Sequence, residues 1–329
     1  MKWSAVFACL LLFLGLMMAA CGTKPALTEV RLVVQTPSTN NYPTHFAKWL
    51  GFFDQEGVQV SISQIAGASK VLEAVVASSA DVGSGVYEQA LQMAAEGREV
   101  KTFLTFARSP NFAILAAPKS GVRTIADLKG KSVGISSLGS PSQFYLNHLL
   151  RGAGVQPELV STAGVGMAAT AAAALERGQV DAAVLFGSAI TAEEARGGRM
   201  LADARTQEGV RTLMGTDDYP ASSLLARTEW LTQHPEEARR VSRAVLKALA
   251  WIRDHSPAEI LTQVPPEFRV GDTRAELEAI RMAKPMYSVD GRVKMESAQA
   301  VRGVLNESLE NVRVAKIDLS KTFTNEYLQ

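Results

Sequence analysis

The residues of this 329-residue chain that could do chemistry are hydroxyl and amide side chains in short polar loops, each between an apolar segment and a predicted helix. Ser38 and Asn41 precede a helix start at Pro43, and the serines of segment 136–140 precede another at Pro141. Proline suits the first turn of a helix, because its missing N–H would have no partner there. The unpaired N–H groups and the dipole of a helix start favour an anion or an electron-rich group. The loops therefore predict hydrogen-bond donors for a bound ligand.

Candidate ligand contacts are the residues of these loops and the aromatic residues near them. The loop and helix-start candidates are Ser38, Asn41, Gly67, Ser69, Ser84, Ser137, Ser140 and Ser142. The candidates for apolar walls are Tyr42, Tyr87 and Phe186, because small-ligand sites are mostly apolar with a few placed polar groups. Helix capping and turn formation are the alternative roles of the serines, and core packing is the alternative role of Phe186.

Charged residues of both signs are available for a ligand. Arg108 follows an apolar segment in a Ser/Pro/Asn loop, and its guanidinium can clamp a sulfonate or a carboxylate through two hydrogen bonds. A solvated surface arginine is the alternative. Glu88, Asp217 and Asp218 support the opposite case, because acidic residues in a cleft favour an aminopyrimidine or another cationic ligand. The sequence leaves both ligand classes open.

Catalytic motifs are not found. The four histidines are scattered, and no cysteine or carboxylate cluster stands beside them at metal-ligand spacing. Gly83-Ser84-Gly85 falls short of a Gly-x-Ser-x-Gly elbow, because a glycine directly follows the serine. The phosphate-binding Gly-Lys-Ser/Thr motif is also missing. We therefore expect no metal, no cofactor and no enzymatic activity.

The polar loops connect the strands and helices of a unit that occurs twice in the sequence. Gly57-Val58-Gln59 and Asp81-Val82-Gly83 recur as Gly154-Val155-Gln156 and Asp181-Ala182-Ala183, with similar spacing and order. Repetition on this scale predicts two copies of one lobe. Strands and helices alternate in both copies, which favours a mainly parallel sheet in each lobe. A ligand cleft is expected between the lobes, at the carboxyl ends of the strands.

The predicted elements follow the same order in both copies. In the first copy we predict strands at 30–35 and 58–65, helices at 43–53 and 69–78, and a strand from Asp81. In the second copy we predict strands at 131–136, 157–162 and 180–186, a helix from Pro141 that Ser140 can cap, and a helix at 168–177.

The two copies are connected by apolar strands at 100–106 and 112–117, and the second of these is expected to cross into lobe two. The chain returns through residues 216–226, and helices at 235–254, 257–263, 274–284 and 296–309 would complete lobe one. The predicted lobe boundaries are therefore 29–116 with 216–329 for lobe one, and 117–215 for lobe two.

The N-terminus and the composition indicate an exported globular protein. Lys2 and the apolar run 5–16 are typical of a secretory signal, and the run is shorter than the ~20 residues that span a bilayer. Met18-Ala19-Ala20-Cys21-Gly22 resembles the bacterial lipoprotein processing box, which predicts a signal peptide at 1–20, lipidation of Cys21 and a tether at 21–28. An ordinary signal peptide with a chance cysteine is the alternative. Lys and Arg total 34 against 33 Asp and Glu, so the formal net charge of +1 is too small to draw the protein to nucleic acid.

Three further stretches carry a resemblance to a known family. Residues 47–53 with Glu56-Gly57-Val58, residues 125–131, and residues 174–183 resemble the substrate-binding proteins of bacterial ABC importers for sulfonates, nitrate, taurine and thiamine-pyrimidine precursors. The resemblance spans about residues 30–328. Phe186-Gly187-Ser188 departs from the family, whose members often carry an aromatic residue and a proline there.

This resemblance implies an α/β fold of the periplasmic-binding-protein type II, with two lobes and two crossing segments. It implies a monomeric, lipid-anchored extracytoplasmic receptor that closes on a small organic solute and delivers it to a permease and its ATPase. The departure at Phe186 leaves the identity of the ligand open. The alternatives are binding of a thiamine-pyrimidine precursor, an enzyme on the same fold, and a sensory solute receptor.

Overall fold

Two five-stranded sheets form the centres of two lobes in the computed structural model, which describes residues 28–35, 37–65, 67–167, 169–269 and 272–329. The predicted signal segment, Cys21 and the tether as far as residue 27 lie outside these ranges. No helix within the described ranges combines the length and the apolar composition needed to cross a bilayer.

Sheet one belongs to lobe one. Its strands are β1 (Thr28–Gln35), β2 (Val58–Ile65), β3 (Val82–Val86), β4 (Val100–Thr105) and β10 (Ser222–Arg227). The strand order is β2–β1–β3–β10–β4. β1 pairs in parallel with β2 and β3, and β10 pairs antiparallel with β3 and β4. Only β10 therefore runs against the other strands of this sheet.

Sheet two repeats this plan in lobe two. Its strands are β5 (Phe112–Ala116), β6 (Ser132–Ile135), β7 (Ser161–Gly164), β8 (Ala182–Phe186) and β9 (Arg199–Asp203). The strand order is β7–β6–β8–β5–β9, with β5 as the antiparallel strand. β5 follows the crossing segment 106–111, and β10 follows the crossing segment 215–221. The mainly parallel sheets and the two-lobed α/β fold predicted from the repeat are confirmed.

Helices cover both faces of the two sheets. In chain order, they are α1 (Tyr42–Trp49), α2 (Phe52–Gln55), α3 (Ala68–Val76), α4 (Tyr87–Ala95), α5 (Pro141–Gly152), α6 (Ala169–Glu176), α7 (Ser188–Ala195), α8 (Gln207–Met214), α9 (Thr228–Gln233), α10 (Pro235–Asp254), α11 (Pro257–Gln263), α12 (Thr273–Ala283), α13 (Met295–Ser308) and α14 (Glu310–Val314). The predicted bounds of β2, α10 and α11 are confirmed residue for residue.

The hydrophobic core of each lobe includes strands that are buried on both faces of their sheet. Successive side chains of a strand point to opposite faces, so each apolar strand contributes to two clusters. In β5, Phe112 and Ile114 join the cluster that contains Tyr145, whereas Ala113 and Leu115 join the cluster on the opposite face. This is why β5 and β8 are continuously apolar, whereas β2, at the end of the strand order, alternates buried and exposed residues.

The repeat has a structural cause at its aspartates and glycines. Asp81 Oδ2 accepts a hydrogen bond from Arg31 N, and Asp181 Oδ2 accepts one from Ser132 N, each at 2.9 Å. Each carboxylate thus ties the start of one strand to its neighbour in the sheet. Gly57 has φ +72° and Gly154 has φ +74°, in the left-handed region that glycine enters without steric cost.

The predicted lobe boundary at residue 116 is wrong. β5 lies in sheet two, because its apolar side chains complete the two clusters of that sheet, so lobe two begins at this strand. The predicted helix 296–309 is present, but it contacts both lobes instead of completing lobe one alone. As α13 it packs against α5 of lobe two and α4 of lobe one, with Val301 and Leu305 buried beside Phe144.

Some predicted elements are interrupted in the structure. The predicted helix 43–53 is divided between α1 and α2, because Gly51 adopts φ +71°. The predicted strand 157–162 begins as a single 3₁₀ turn, Pro157–Leu159, and β7 starts only at Ser161. The elements α4, α7, α8 and β9 were not predicted from the sequence pattern.

Candidate ligand-binding site

A cavity of about 50 Å³ lies between the lobes, where the carboxyl ends of parallel strands of both sheets meet. Gln35 and Val86 end strands of sheet one, Phe186 ends a strand of sheet two, and Ser136 follows another. One water needs roughly 10–15 Å³ of such space, so the cavity accommodates one compact chemical group. Both lobes contribute to its wall, as the sequence predicts for a cleft.

Helix starts surround the cavity. Its wall includes Asn41 at the start of α1, Ala68 at the start of α3, Val86 at the start of α4, and Pro141 and Ser142 at the start of α5. The first N–H groups of a helix have no partner within it, and the helix dipole is positive at that end. The cavity is therefore placed to receive an anion or an electron-rich group.

Among the described residues that line the cavity, no side chain is charged. The polar members are Gln35, Ser38, Asn40, Asn41, Ser84, Ser136, Ser142, Tyr145 and Ser222. The members without a polar side-chain group are Ala68, Gly85, Val86, Pro110, Pro141, Met167, Phe186 and Ala221. A ligand would thus be held by neutral hydrogen-bonding groups and apolar contacts.

Three serine hydroxyls form a ring at the start of α5. Ser136 Oγ lies 2.9 Å from Ser140 Oγ and 2.9 Å from Ser142 Oγ, and the latter two are 2.7 Å apart. Ser136 N also donates to Ser142 Oγ at 2.9 Å. Ser140 stands at the N-cap position, but its side chain makes no capping hydrogen bond to α5, contrary to our prediction. The ring holds the hydroxyls in defined positions at the cavity wall.

The loop before α1 is tied to the first crossing segment. Asn41 Oδ1 accepts from Ser38 N at 2.8 Å, which closes the loop on itself. Asn40 Nδ2 donates to Pro110 O at 3.1 Å, and Asn40 Oδ1 accepts from Asn111 Nδ2 at 2.8 Å. Asn111 has φ +47°, in the left-handed region that asparagine enters more readily than most residues. A strained residue of the crossing segment therefore positions the cavity loop.

Behind the cavity, a buried carboxylate joins three parts of the chain. Tyr145 OH and Tyr219 OH donate to Glu88 Oε1 at 2.6 Å and 3.0 Å. Glu88 is in α4 of lobe one, Tyr145 is in α5 of lobe two, and Tyr219 is in the second crossing segment. The Tyr145 ring also stacks on Phe112, with 4.7 Å between ring centroids. The ring that lines the cavity is thus held from both lobes.

Burial raises the pKa of the Glu88 carboxyl, although the two tyrosine hydroxyls favour its ionised form. The folded protein then keeps this proton at a pH where the unfolded chain has lost it. The contribution of Glu88 to the free energy of unfolding should therefore fall as pH rises from the ordinary glutamate pKa through the raised one. We expect Glu88→Gln to remove this slope. Urea unfolding of both proteins between pH 4 and pH 8 measures it, and equal slopes would contradict the prediction.

The predicted site residues divide between the cavity and its surroundings. Those that line the cavity are Ser38, Asn41, Ser84, Ser142 and Phe186. Ser140 stands behind them in the serine ring. Those outside the lining are Tyr42, Gly67, Ser69, Tyr87, Arg108 and Ser137.

Four of the residues outside the lining have other positions in the structure. Tyr42 is buried in the core of lobe one, and Tyr87 OH contacts Thr322 Oγ1 at 2.6 Å. A Cβ at Gly67 would stand 3.7 Å from Ser137 Oγ, so these two residues face each other where the lobes meet. Core packing decides the first two positions, because both aromatic rings are almost wholly removed from water.

Arg108 is not an anion clamp in this arrangement. Its guanidinium forms a two-point ion pair with Asp218, and Lys294 Nζ lies 3.7 Å from the same carboxylate. The pair joins the two crossing segments outside the cavity. Asp217 pairs with Arg211 at 2.5 Å, so neither aspartate offers a free charge to a cationic ligand. Arg108, Asp217 and Asp218, which the sequence offered as charged ligand contacts, thus form ion pairs within the protein.

Sequence reasoning missed several wall residues, namely Gln35, Asn40, Ser136, Tyr145, Met167 and Ser222. Position could have identified some of them: Gln35 is the last residue of a strand, and Ser136 directly follows one. Tyr145 stands three residues after Ser142 in α5, which places both on one helix face. Ser222 had no local signal, because β10 reaches sheet one from the other lobe.

A larger groove of about 1300 Å³ lies outside the cavity, between α7 of lobe two and the α11–α12 region of lobe one. Charged side chains of the groove pair with neighbours, as Glu278 does with Arg281 and Glu194 with Arg205. The groove is not at the carboxyl ends of the strands. We therefore take the smaller cavity as the candidate ligand site.

Comparison with solved structures agrees with this geometry. A structure from Bordetella bronchiseptica RB50 matches with a TM-score of 0.87 at 32% identity, covering 92% of this chain and 96% of that one. The alkanesulfonate-binding protein SsuA from Xanthomonas axonopodis pv. citri, solved with MOPS bound, matches with a TM-score of 0.72 at 19% identity, covering 91% and 98%. These likenesses confirm the periplasmic-binding-protein fold.

Sequence relatives include proteins named as binding proteins and proteins named as synthases. The Bacillus subtilis protein YtlA is 23% identical over 314 residues, which is 92% of this chain and 91% of YtlA. The yeast 4-amino-5-hydroxymethyl-2-methylpyrimidine phosphate synthase THI13 is 23% identical over 222 residues, 66% of this chain and 64% of the synthase. A family model described as NMT1/THI5 like matches residues 38–260. With its two lobes and the cavity between them, this chain belongs to the NMT1/THI5-like family.

Proposed function

We propose that this protein is an extracytoplasmic solute-binding protein of an ABC importer. One observation carries the proposal: a cavity between the lobes is lined by strand ends and helix starts of both sheets. A ligand held there contacts both lobes, so it stabilises the closed arrangement by a hinge motion at the two crossing segments. The permease then receives a receptor whose shape reports that it is loaded.

The wall of the cavity favours a compact anion or an electron-rich group as the ligand. Residues at four helix starts line it, where the positive ends of the helix dipoles favour an anion, while the described lining contains no carboxylate. A sulfonate, nitrate or a small organic acid fits this chemistry. A cationic aminopyrimidine is disfavoured, because Asp217, Asp218 and Glu88 all lie outside the lining.

Binding without catalysis is the reading that the wall supports. Its described lining includes no histidine, cysteine, lysine or carboxylate that could act as a general acid or base. The described residues also hold no group of three or more metal-ligating side chains. The serine hydroxyls of the ring bond to each other rather than to a base. Because synthases are among the relatives, an enzyme on the same fold is the alternative function.

A thermal-shift screen tests the proposed function. The protein from residue 22 onward would be heated with alkyl sulfonates, nitrate, small organic acids, aminopyrimidines and amino acids. At a hundredfold excess over Kd, a ligand adds about 2.7 kcal/mol, which corresponds to about 4 °C in Tm for a chain of this length. We expect the shift to be confined to anionic compounds. A shift with aminopyrimidines alone would contradict the ligand class, and turnover of any compound would contradict the binding role.

We also propose that the protein is anchored by lipid on Cys21. Lipid chains at this cysteine would hold the protein at a membrane surface, since each buried CH₂ contributes about 0.8 kcal/mol. Cys21→Ser is expected to release the protein from the membrane fraction into the soluble fraction. Thr23→Ala, which keeps the cysteine, is the matched control. Continued membrane attachment of Cys21→Ser would show that the anchor is elsewhere.

A further inference from the structure

Glu88 is a buried carboxyl group directly behind the cavity wall. The residue is 0% exposed, and its Oε1 accepts from Tyr145 OH and Tyr219 OH. Tyr145 also lines the cavity, so one side chain contacts both the carboxyl and the cavity. No donor among the described residues reaches Oε2 of Glu88. The carboxyl thus has hydrogen-bond partners on one oxygen only.

This arrangement accommodates a proton better than a full charge. An ionised carboxylate is costly to bury unless hydrogen bonds or an opposite charge replace its water. The helix α4, which carries Glu88, packs against β3, β4, β10, α13 and α14. No charged side chain of these elements forms an ion pair with Glu88 in the described part of the chain, and burial raises the pKa of the carboxyl. Glu88 therefore changes its protonation at higher pH than an exposed glutamate does.

The other titratable groups of this region keep one protonation state near neutral pH. Burial raises the pKa of the Tyr87, Tyr145 and Tyr219 hydroxyls above the usual tyrosine value, so they stay neutral. His45 Nε2 lies 3.1 Å from the carbonyl oxygen of Gln35, a residue of the cavity wall. Burial lowers the pKa of His45 to about 4, so its ring stays neutral as well. A proton exchanged near the cavity at neutral pH is therefore assigned to the buried carboxyl.

An anion in the cavity would oppose the ionised form of Glu88. Like charges repel, and closure of the lobes around the anion removes water that would screen the repulsion. A ligand that disfavours the ionised form raises the proton affinity of the group, and protonation raises the affinity for the ligand by the same factor. Binding of an anion then takes up a proton from solvent wherever the free protein has lost it.

We propose that Glu88 is a proton-binding site coupled to the cavity, so that the protein binds its anion together with a proton. This inference rests on the proposed function, because an anionic ligand fixes the sign of the coupling. Two like charges about 10 Å apart at an effective dielectric constant of about 20 change an affinity roughly tenfold. The affinity for the anion should therefore fall roughly tenfold as pH rises through the pKa of Glu88 in the free protein.

Calorimetric titrations between pH 5 and pH 9 test the coupling. The probes are nitrate and methanesulfonate, which stay ionised over this range, so a pH dependence of their affinity belongs to the protein. Two amine buffers with different heats of ionisation give the number of protons taken up per anion bound. Sulfonate and phosphate buffers are avoided, because they would compete for an anion site. The protein begins at residue 22, as in the thermal-shift screen.

Glu88→Gln keeps an oxygen for the two tyrosine hydroxyls but cannot take up a proton. We expect its affinity to be independent of pH, equal to that of the wild type at pH 5 and roughly tenfold higher at pH 9. Tyr219→Phe removes a hydrogen bond that favours the ionised carboxyl, and Tyr219 is outside the cavity lining. In this variant, the fall in affinity should move to higher pH.

Glu193→Gln is the matched control. Glu193 is a carboxyl in α7 that is 1% exposed, and burial raises its pKa as well. It does not line the cavity and has no hydrogen bond to the Glu88 group in the described structure. This variant should keep the pH dependence and the proton uptake of the wild type. Melting curves establish that each variant is folded.

In the wild type, we expect uptake of about half a proton per anion where the affinity falls most steeply, as a tenfold coupling requires. A constant affinity without proton uptake would overturn the coupling and leave the proposed function intact. Proton uptake that persists in Glu88→Gln would overturn the role of Glu88. If Glu88→Gln does not fold, an unshifted pH midpoint in Tyr219→Phe would overturn it. Absence of binding by both probes and by every anion of the thermal-shift screen would overturn the ligand class and the coupling together.

Discussion

Replacement of Met167 by glutamate is expected to weaken binding of an anionic ligand roughly a hundredfold. Met167 lines the cavity from lobe two, and its half-buried side chain packs beside the core. The described wall carries no charged side chain. A new carboxylate would therefore repel an anionic ligand and compete with it for the positive ends of the helices. Two like charges about 5 Å apart at an effective dielectric constant of about 20 repel by about 3 kcal/mol, which corresponds to roughly a hundredfold in Kd.

Met167→Gln and Met167→Lys make this measurement specific for charge. All three side chains are unbranched and similar in length, and glutamine supplies the polar but neutral reference. Titration calorimetry with the anion that gives the largest thermal shift should rank affinity as lysine above glutamine above glutamate. Equal affinities for the three variants would indicate a neutral ligand, and the reverse order would indicate a cation. Either result would contradict the proposed ligand class.

Glu88→Ala is expected to lower the free energy of unfolding by about 3–5 kcal/mol. The substitution leaves the hydroxyls of Tyr145 and Tyr219 buried without the oxygen that now accepts from both. Each buried donor without an acceptor costs roughly 1–3 kcal/mol, and each lost buried methylene adds about 0.8 kcal/mol. Because the three residues come from both lobes and a crossing segment, the loss affects the junction of the lobes.

Urea unfolding at pH 7 with Glu88→Gln as the matched variant tests this cost. Glutamine keeps an oxygen that accepts from the tyrosines and cannot ionise, so its unfolding free energy should equal or exceed that of the wild type at this pH. A loss below about 1 kcal/mol in Glu88→Ala would mean that the hydroxyls find other acceptors. An equal loss in both variants would mean that shape, not the hydrogen bonds, explains the effect.

The site was partly predictable because helix starts have local signals. Ser38, Asn41 and Ser142 were found from proline and polar residues at the ends of apolar segments, and all three line the cavity. Tyr42 and Tyr87 were placed wrongly for a physical reason. An aromatic residue at a helix start has the same local pattern whether it faces a cleft or the core, and only packing separates the two.

By itself, the sequence determined the two lobes, the alternation of strands and helices, and the bounds of some elements, among them β2, α10 and α11. These features follow from apolar periodicity, glycines at left-handed positions and repeated aspartates, which act over a few residues or a single turn. The tertiary structure alone decided the charge of the site. Arg108 and Asp218 are 110 positions apart, and they neutralise each other only because the two crossing segments come together. The same meeting of distant segments placed β5 in lobe two, Ser222 in the cavity wall and Ser188 against Glu276, since contacts between lobes have no local pattern.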